Sequence, residues 1–492
     1  MPISSDQLVD FLKKCRWFAG KARQVVLASV IQQIPFGEAT IWIVEVGYEE
    51  GDTERYQLPV ISVSEMPGFS TAQTLILEVD GRYLVDAIYT ETFRYNLYTH
   101  IYNAESYGEP TARMAFVRGK GLEAEDLPEH ISTRVLPVDS SNSALVFGEK
   151  YFLKLYRKLF QLPNPEVEMI EFLTEHSDFR QMPAFCGSMT LKSLGQPDIT
   201  LGMMQRMVDA QKDNWDRTGD YLNDFLYAVP NRVFSIQEDV FERVGLLGRR
   251  TGEMHRALYN PEADATFSPE PFTADYRKFL QGRLNHLLES RYNLLIDKYR
   301  ALDEQTQALA WKFMEAKELI DEFAEELLSR DIHSQRIRIH GDYHLGQVLN
   351  VQNDFIVIDF EGEPEASIAD RKVKHSPLKD VAGMVRSYHY AVSAKLFESD
   401  ETRYLEPTKL LKVTERWYKL IRDTYLDGYT EAIGWPHPLF KDQNEINSLM
   451  LYYLLEKAVY ELGYELSYRP DWVKIPLKGI VDVIREVEKL HG

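Results

Sequence analysis

Two short segments near residue 350 constrain this chain more than any other feature. The first, His340–Gln347, places Asp342 on a Gly-containing loop and an amide, Gln347, five residues later. The second, Ile358–Glu363, adds Asp359 twelve residues beyond that amide. Phosphoryl transfer from Mg-ATP needs such a set, because an acid must orient the attacking hydroxyl and oxygen ligands must hold the metal. The two segments therefore indicate phosphoryl-transfer chemistry.

The residues between the two segments predict a β-hairpin. Two apolar runs, 348–351 and 355–358, flank a polar turn. A turn centred on Asn353 would set Gln347 opposite Asp359, with Cβ atoms roughly 5 Å apart. That separation suits two oxygen ligands that share one Mg²⁺.

Two histidines in the first segment allow another interpretation. His340 and His344 are four residues apart, which on a helix could form a zinc pair. Gly341 and the pair Leu345-Gly346 favour a loop instead. We therefore expect the His340 ring to brace the loop backbone rather than to bind zinc.

An earlier segment has features of a nucleotide site. Lys154 lies on a predicted strand, 151–156, and Glu168 lies on a following helix. Asn164 is a good N-cap for that helix, and Pro165 suits its first position. A strand lysine paired with a helix glutamate is how kinases hold a cation against the α- and β-phosphates. We therefore predict that Lys154 pairs with Glu168.

Two further segments complete the predicted ATP side. The turn Ser141-Asn142-Ser143 would serve on the phosphate side, because the Gly-rich signature of protein kinases is missing from the sequence. Residues 199–204 form an apolar strand that leads to a hinge between lobes. Backbone groups near Arg206 and Val208 would bind adenine there.

A stripe of polar and aromatic residues near residue 460 points to an acceptor site. These residues follow the spacing i, i+3, i+4, i+7 and i+8 on a predicted helix, which aliphatic core residues usually occupy. The stripe consists of Lys457, Tyr460, Glu461, Tyr464 and Glu465. Sugars are bound by polar groups and aromatic faces together. A solvated row that includes a Lys457–Glu461 ion pair is the alternative.

Both regions resemble the bacterial maltokinases, which belong to the aminoglycoside phosphotransferase-like kinases. Asp342, Gln347 and residues 359–364 match the His-Gly-Asp-x-His-x-Gly-Gln and Asp-Phe-Glu-Gly-Glu-Pro patterns, and residues 459–465 with 469–477 match the C-terminal signature. The opening Arg16–Lys21 resembles the maltokinase N-terminal cap.

The resemblance implies an α+β, bilobed kinase-like fold with a role for each motif. It implies Asp342 as the catalytic base, Gln347 and Asp359 as Mg²⁺ ligands, and Asp380 as a brace for the catalytic loop. It also implies acceptor contacts from the stripe together with His344, Glu361 and Trp472. Departures from the common pattern at Arg217 and His389 could affect acceptor affinity.

The resemblance further implies a reaction and a division of the chain. The expected activity is ATP-dependent phosphorylation of maltose at its anomeric hydroxyl, giving maltose 1-phosphate for glycogen synthesis, with association with a trehalose/maltose-converting enzyme. A glucosamine or other small-sugar kinase, and a non-catalytic nucleotide-binding module, are the alternatives. We expect a cap over residues 1–95, an ATP-side lobe over 96–208 and a mainly helical lobe over 209–492.

Composition limits the partners. The net charge of −20 opposes nucleic acid and anionic membranes. Two cysteines, Cys15 and Cys186, exclude a disulfide framework and fit a reducing compartment. No run approaches 18 apolar residues, and the N-terminus has no secretory pattern. We therefore expect a cytoplasmic protein that contacts small molecules.

Overall fold

The chain divides into two compact units. A computed structural model describes residues 3–68, 72–109, 111–137, 141–210, 212–228, 236–398 and 407–491. Unit 1 comprises Met1–Asp209 with Ser367–Asp370, and unit 2 comprises Ala210–Ala366 with Arg371–Gly492. The fold class is α+β, as the sequence predicts.

Among the described residues, unit 1 is mainly β-structure, and three helices lie in its part up to Asp209. Its strands are β1 (Val25–Phe36), β2 (Ala39–Tyr48), β3 (Glu54–Val63), β4 (Leu75–Val79), β5 (Arg82–Asp86), β6 (Ser106–Glu109), β7 (Ala112–Arg118), β8 (Thr133–Leu136), β9 (Ser143–Phe147), β10 (Tyr151–Leu155), β11 (Lys158–Leu159), β12 (Phe185–Lys192) and β13 (Ile199–Arg206). Its helices are α1 (Ser5–Lys14), α2 (Glu91–Asn103) and α3 (Pro165–His176).

Within the described residues, these strands form two antiparallel sheets. The first has the order β1-β2-β3-β5-β4, with β11 paired to β3, and the second has the order β6-β7-β12-β13-β10-β9-β8. Alternate residues of β2 face opposite sides: Ile41 and Ile43 enter one core, whereas Trp42 and Val44 enter another beneath α1. This period of two is what a strand buried on both faces requires. Ser4 and Gln7 predict a capping box from the sequence, and these two residues do form the capping box of α1.

A buried ion pair ties β5 to the segment after β10. The Arg157 Nη2 atom lies 2.5 Å from Asp86 Oδ2, and both side chains are fully buried. The Arg157 guanidinium also lies 4.7 Å from the Trp17 ring centroid. Burial raises the pKa of Asp86, and Arg157 opposes that shift. The pair therefore fixes the first 90 residues to the second sheet within unit 1.

Unit 2 is mainly helical. Its helices are α4 (Asn214–Ala228), α5 (Glu238–Leu258), α6 (Ala274–Lys298), α7 (Glu304–Glu315), α8 (Lys317–Ser329), α10 (Leu378–Glu398), α11 (Pro407–Ile433), α12 (Gln443–Tyr468) and α13 (Lys474–His491). The short helix α9 (Ile368–Arg371) begins in the segment counted with unit 1. The strands are β14 (Lys212–Asp213), β15 (Glu270–Pro271), β16 (Gln335–Arg336), β17 (Val348–Val351) and β18 (Asp354–Val357).

The helical core positions the site residues, with one difference from the sequence prediction. Helices α10, α12 and α13 bury apolar faces that include Val385, Leu462 and Ile480. Residues 308–328 predict one long, acid-rich helix from the sequence, but the structure has two helices, α7 and α8, which meet at Ala316. The Ala316 N–H bonds the Lys312 carbonyl and so closes α7 there. None of the helices in the described parts of the chain could cross a bilayer.

Candidate active site

The loop that carries Asp342 is held by a buried carboxylate. Asp380, in the first turn of α10, accepts hydrogen bonds from the backbone N–H groups of His340 (2.8 Å) and Gly341 (2.9 Å). His255 Nε2 lies 3.2 Å from the same carboxylate. Burial alone would raise the pKa of Asp380, but the His255 contact and the backbone donors bring it below its ordinary value. Asp380 therefore braces the loop as an anion.

His340 fixes the loop to the segment after β18. Its Nε2 atom lies 2.8 Å from the Ile358 carbonyl oxygen, and its Nδ1 atom accepts from the Asp342 N–H at 3.4 Å. This confirms the bracing role predicted for His340. Gly341 adopts a φ of +87° and approaches Gly362, since a Cβ atom on Gly341 would lie 3.2 Å from Gly362 Cα. The two sequence segments thus meet in space.

Asp342 pairs with the first residue of the stripe. Lys457 Nζ lies 3.2 Å from Asp342 Oδ1, and each side chain is about one-fifth exposed, at 21% and 20%. Burial alone would lower the pKa of Lys457, but Asp342 and Glu363 raise it above its usual value. The ammonium therefore stays charged at neutral pH.

His344 lies on the other side of Asp342. Its Nε2 atom is 4.0 Å from Asp342 Oδ2, and its Nδ1 atom accepts from the Gly346 N–H at 3.1 Å. Burial lowers the pKa of His344, although Asp342 opposes the shift, so the ring is neutral at pH 7. Since Nδ1 accepts, Nε2 carries the proton and can donate to a ligand hydroxyl.

The hairpin forms, but its register differs from the prediction by one residue. Val348 pairs with Val357, and the Ile358 N–H donates to the Gln347 carbonyl at 3.0 Å, so Gln347 lies opposite Ile358. The predicted Gln347–Asp359 register is therefore wrong. A two-residue turn, with Gln352 at a φ of +51°, replaces the three-residue turn. Asp359 follows the strand with a left-handed φ of +59°.

The donor set at the end of the hairpin suits magnesium. Gln347 and Asp359 offer an amide and carboxylate oxygens, the hard ligands that Mg²⁺ prefers, and bound phosphates supply others. In the described part of the chain, no three His, Cys, Asp or Glu side chains converge as a protein-only metal cluster. A magnesium ion held here would neutralise phosphate charge.

Glu363 anchors the segment after Asp359 to two helices. Its carboxylate lies 2.9 Å from Arg283 Nη2 and 3.2 Å from Lys379 Nζ. Burial alone would raise the pKa of Glu363, but these cations lower it to about 2. Arg283 also bonds Glu456 of α12 at 2.6 Å. Glu361 lies 3.9 Å from Arg371 Nη1.

The next acid of the stripe pairs with a buried arginine of α10. Glu461 Oε2 accepts from Arg386 Nη2 at 2.5 Å and from Nε at 3.2 Å. Arg386 Nη1 lies 3.1 Å from His389 Nδ1. Burial and the Arg386 charge lower the pKa of His389, which is therefore neutral and accepts this bond. Instead of the Lys457–Glu461 pair of the alternative interpretation, Lys457 pairs with Asp342 and Glu461 pairs with Arg386, and both pairs link α12 to other elements.

Glu465 and three aromatic rings form the far end of the stripe. Glu465 accepts from the Tyr390 hydroxyl and lies 3.2 Å from Arg469 Nε. The Tyr390 ring centroid is 5.7 Å from that of Trp472 and 6.3 Å from that of Trp215. Offset ring pairs at such distances are a stable arrangement. The result is an aromatic cluster beside a paired carboxylate.

Tyr460 and Tyr464 lie nearer to solvent. Tyr464 is 42% exposed, and its ring lies 5.0 Å from that of Tyr468. The Arg469 guanidinium stacks 5.1 Å from the Tyr464 centroid. Lys457 Nζ lies 5.3 Å from the Tyr460 centroid. Both tyrosines therefore offer aromatic surface beside cations, as Trp472 does beside Arg469.

In unit 1, Lys154 pairs with an acid that the sequence analysis did not name. Lys154 Nζ lies 2.6 Å from Glu166 Oε1, and Glu166 is buried. The predicted partner, Glu168, is half-buried and lies in the same first turn of α3, whereas the sequence spacing predicts the second turn. Helix α3 begins as predicted, with Asn164 as N-cap and Pro165 in the first position. The Glu166 carboxylate lies against Lys154 of β10. The sequence analysis did not single out Glu166, because spacing along the chain allows either Glu166 or Glu168 to pair with Lys154.

The remaining predicted nucleotide residues also lie in unit 1. The Ser141–Asn142 bend leads directly into β9, whose first residue, Ser143, is buried and accepts from Arg157 Nε at 2.7 Å. The Ser143 hydroxyl oxygen is thus part of the core of unit 1, not of an open turn. Arg206 ends β13, and its side chain pairs with Glu123. Val208 follows β13 just before the end of the unit.

Sequence reasoning missed the cations that pair with the site acids. Arg283, Lys379 and Arg386 come from α6 and α10, far from the motifs along the chain. A weak signal existed, because Arg386 and Tyr390 are four residues apart and share a helix face with the noted His389 nearby. Arg217, the other noted departure, stacks on Tyr221 at 5.0 Å.

The sequence is similar to one family model and to two named kinases. The family model described as the maltokinase N-terminal cap domain matches residues 11–89. A glucosamine kinase from Streptacidiphilus jiangxiensis is 24% identical over 356 residues, which cover 72% of this chain and 74% of that protein. A glucosamine kinase from Mycolicibacterium smegmatis is 25% identical over 351 residues, which cover 70% and 77%.

A solved structure shares the fold over nearly the full length. The structure of a glucosamine kinase in complex with glucosamine, ADP and inorganic phosphate superposes with a TM-score of 0.68 at 17% identity, covering 98% of this chain and 99% of that chain. This likeness shows that the chain has a kinase-like fold, as the sequence predicts.

Proposed function

We propose that this protein is a maltokinase, which transfers the γ-phosphate of ATP to the anomeric hydroxyl of maltose. The product, maltose 1-phosphate, would serve α-glucan synthesis. The sequence motifs and the maltokinase cap over residues 11–89 support the enzyme class. In this proposal, residues 1–95 form the cap, residues 96–208 bind the ATP side, and residues 209–492 carry the catalytic loop and the acceptor site.

The proposed roles follow the chemistry of phosphoryl transfer. Asp342 would orient the acceptor hydroxyl and take its proton. Gln347 and Asp359 would hold Mg²⁺, which neutralises phosphate charge when it is bound. Lys154, held by Glu166, would contact the ATP phosphates. Because this chemistry depends on positioning, the rigid bracing of the Asp342 loop by Asp380 supports the assignment.

The observation that carries the choice of sugar is the pairing of the acceptor-side acids. Asp342, Glu461 and Glu465 each have a cationic partner within 3.2 Å: Lys457, Arg386 and Arg469. An amino sugar binds more tightly where a carboxylate is available to pair with its ammonium group. Here the ammonium would have to compete with an existing pair. A neutral sugar needs only hydrogen bonds, which paired carboxylates can still accept.

The positive charge of Lys457 would also repel the ammonium group of an amino sugar. A second ammonium placed about 5 Å from Lys457 Nζ would be repelled by about 3 kcal/mol at an effective dielectric constant of 20. The aromatic cluster of Trp215, Tyr390 and Trp472 would give a second sugar ring a surface to stack on, which would favour a disaccharide. Both features support maltose.

A glucosamine kinase is the second candidate. It is favoured by the names of the two curated relatives, which match about 70% of this chain. A nucleotide-binding module without turnover is disfavoured, because Lys154, Asp342, Gln347 and Asp359 are all present.

The experiment is an acceptor panel with purified protein and Mg-ATP. ADP release would be measured with maltose, glucose, glucosamine, an aminoglycoside and a peptide. Maltose should give the highest kcat/KM. Highest activity with glucosamine would replace this proposal by the second candidate, and no release with any acceptor would favour a binding module.

A further inference from the structure

Residues of three helices meet at the side chain of Arg386. The residue lies on α10 and is 3% exposed, its guanidinium binds Glu461 of α12, and it packs against Gly479 of α13. A Cβ atom on Gly479 would lie 1.9 Å from Arg386 Nη1 and 2.7 Å from Cζ. Only glycine at 479 therefore leaves room for the guanidinium in this place.

The pair has a specific geometry. Two guanidinium nitrogens, Nε and Nη2, bind the same oxygen of Glu461, Oε2. The third nitrogen, Nη1, donates to His389 Nδ1. The other carboxylate oxygen, Oε1, lies outside this pair and can accept a hydrogen bond from a hydroxyl group. The Glu461 side chain keeps 14% of its surface exposed.

We infer that Arg386 is a specificity-determining residue, which reserves Glu461 for neutral hydroxyl acceptors and excludes acceptors that carry an ammonium group. This inference rests on the proposed function, since it places Glu461 at the sugar. The paired carboxylate has little net charge to offer a cation, but Oε1 remains an acceptor for O–H donors. Arg386 itself acts through Glu461 and does not contact the sugar.

The first test replaces Arg386 by Met, which fills a similar volume without charge. The ratio of kcat/KM for maltose to kcat/KM for glucosamine should fall by about 10- to 100-fold. A charge-assisted hydrogen bond to a freed carboxylate has a strength that corresponds to this range. The KM for ATP should not change. Adding Glu461→Gln to Arg386→Met should cancel the gain for glucosamine, which a purely structural role would not predict.

The second test keeps every polar group and moves only the guanidinium. Gly479→Ala introduces the Cβ atom that collides with Arg386, and it should shift the same ratio in the same direction. Gly282→Ala on α6 is the matched control, because a Cβ atom there meets nothing within 4 Å. The control should leave the ratio unchanged. Should Arg386→Met fail to fold, Gly479→Ala still gives the answer.

Calorimetry with maltose and glucosamine, without ATP, separates the two proposals. If the wild type binds sugars but gives no turnover, the proposed function fails. The ratio of the Kd values for maltose and glucosamine, compared between the wild type and the variants, still tests the role of Arg386. An unchanged ratio in both Arg386→Met and Gly479→Ala, by turnover and by binding, would overturn the role of Arg386.

Discussion

Replacing Asp342 by Asn should reduce kcat while leaving ATP affinity nearly unchanged. The substitution keeps the shape of the side chain but removes the charge that would take the acceptor proton. Loss of a positioned general base costs on the order of 10²–10⁴ in rate. At 1.36 kcal/mol for each factor of ten, this raises the barrier by about 3–5 kcal/mol.

The structure indicates that the fold should tolerate this change. The loop is held by Asp380 and His340, through bonds to backbone groups, and not by the Asp342 carboxylate. The substitution removes the ion pair between Asp342 and Lys457, whose side chains are each about one-fifth exposed. We therefore expect the free energy of unfolding to fall by about 1 kcal/mol or less.

The assay combines ADP release at saturating Mg-ATP and maltose with direct measurement of the Kd for ATP. Asp297→Asn, an exposed change on α6, serves as the control for removing one negative charge. Turnover of Asp342→Asn within a few-fold of the wild type would remove Asp342 from the mechanism. A parallel loss of ATP affinity would assign Asp342 to nucleotide binding instead.

Three other predictions follow from the described contacts. Gln347→Ala and Asp359→Ala should weaken the Mg²⁺ response, so that activity recovers partly at high Mg²⁺; no better recovery than in the Asp342 variant would argue against metal binding. The pKa of Glu363 is lowered from 4.5 to about 2, so its pairs stabilise the fold fully above about pH 4.5 and lose that effect as the pH falls towards 2. Glu363→Gln should therefore cost about 3 kcal/mol at pH 7 and flatten the acid part of the urea-unfolding profile; an unchanged profile would contradict the pairing. Arg157→Met should destabilise unit 1 by about 3–5 kcal/mol because it leaves a buried carboxylate alone, whereas Lys192→Met, which removes a surface pair, should cost under about 1 kcal/mol; equal urea midpoints for the two variants would refute this.

Local features of the site could be predicted from the sequence because they depend on neighbours along the chain. The capping box at Ser4, the N-cap at Asn164 and the hairpin after Gln347 all form. The resemblance to known motifs gave the fold class. The bracing of the loop by His340 also followed from the motif alone.

Contacts between distant elements could not be predicted in the same way. Turn length set the hairpin register, and one residue fewer in the turn moved Gln347 opposite Ile358. The pairing of Arg386 with Glu461 spans 75 residues and depends on how α10 packs against α12. Spacing along the chain does not distinguish Glu166 from Glu168 as a partner for Lys154, and the 2.6 Å distance between Glu166 and Lys154 depends on where the fold places α3.

The most direct test of the central claim is a competition between two acceptors in one reaction. Purified protein, Mg-ATP and equal concentrations of maltose and glucosamine would be followed by ³¹P and ¹H NMR. Maltose 1-phosphate should accumulate first, with its phosphorus coupled to the anomeric proton. Phosphorylated glucosamine as the main product would contradict the assignment of maltose as the acceptor.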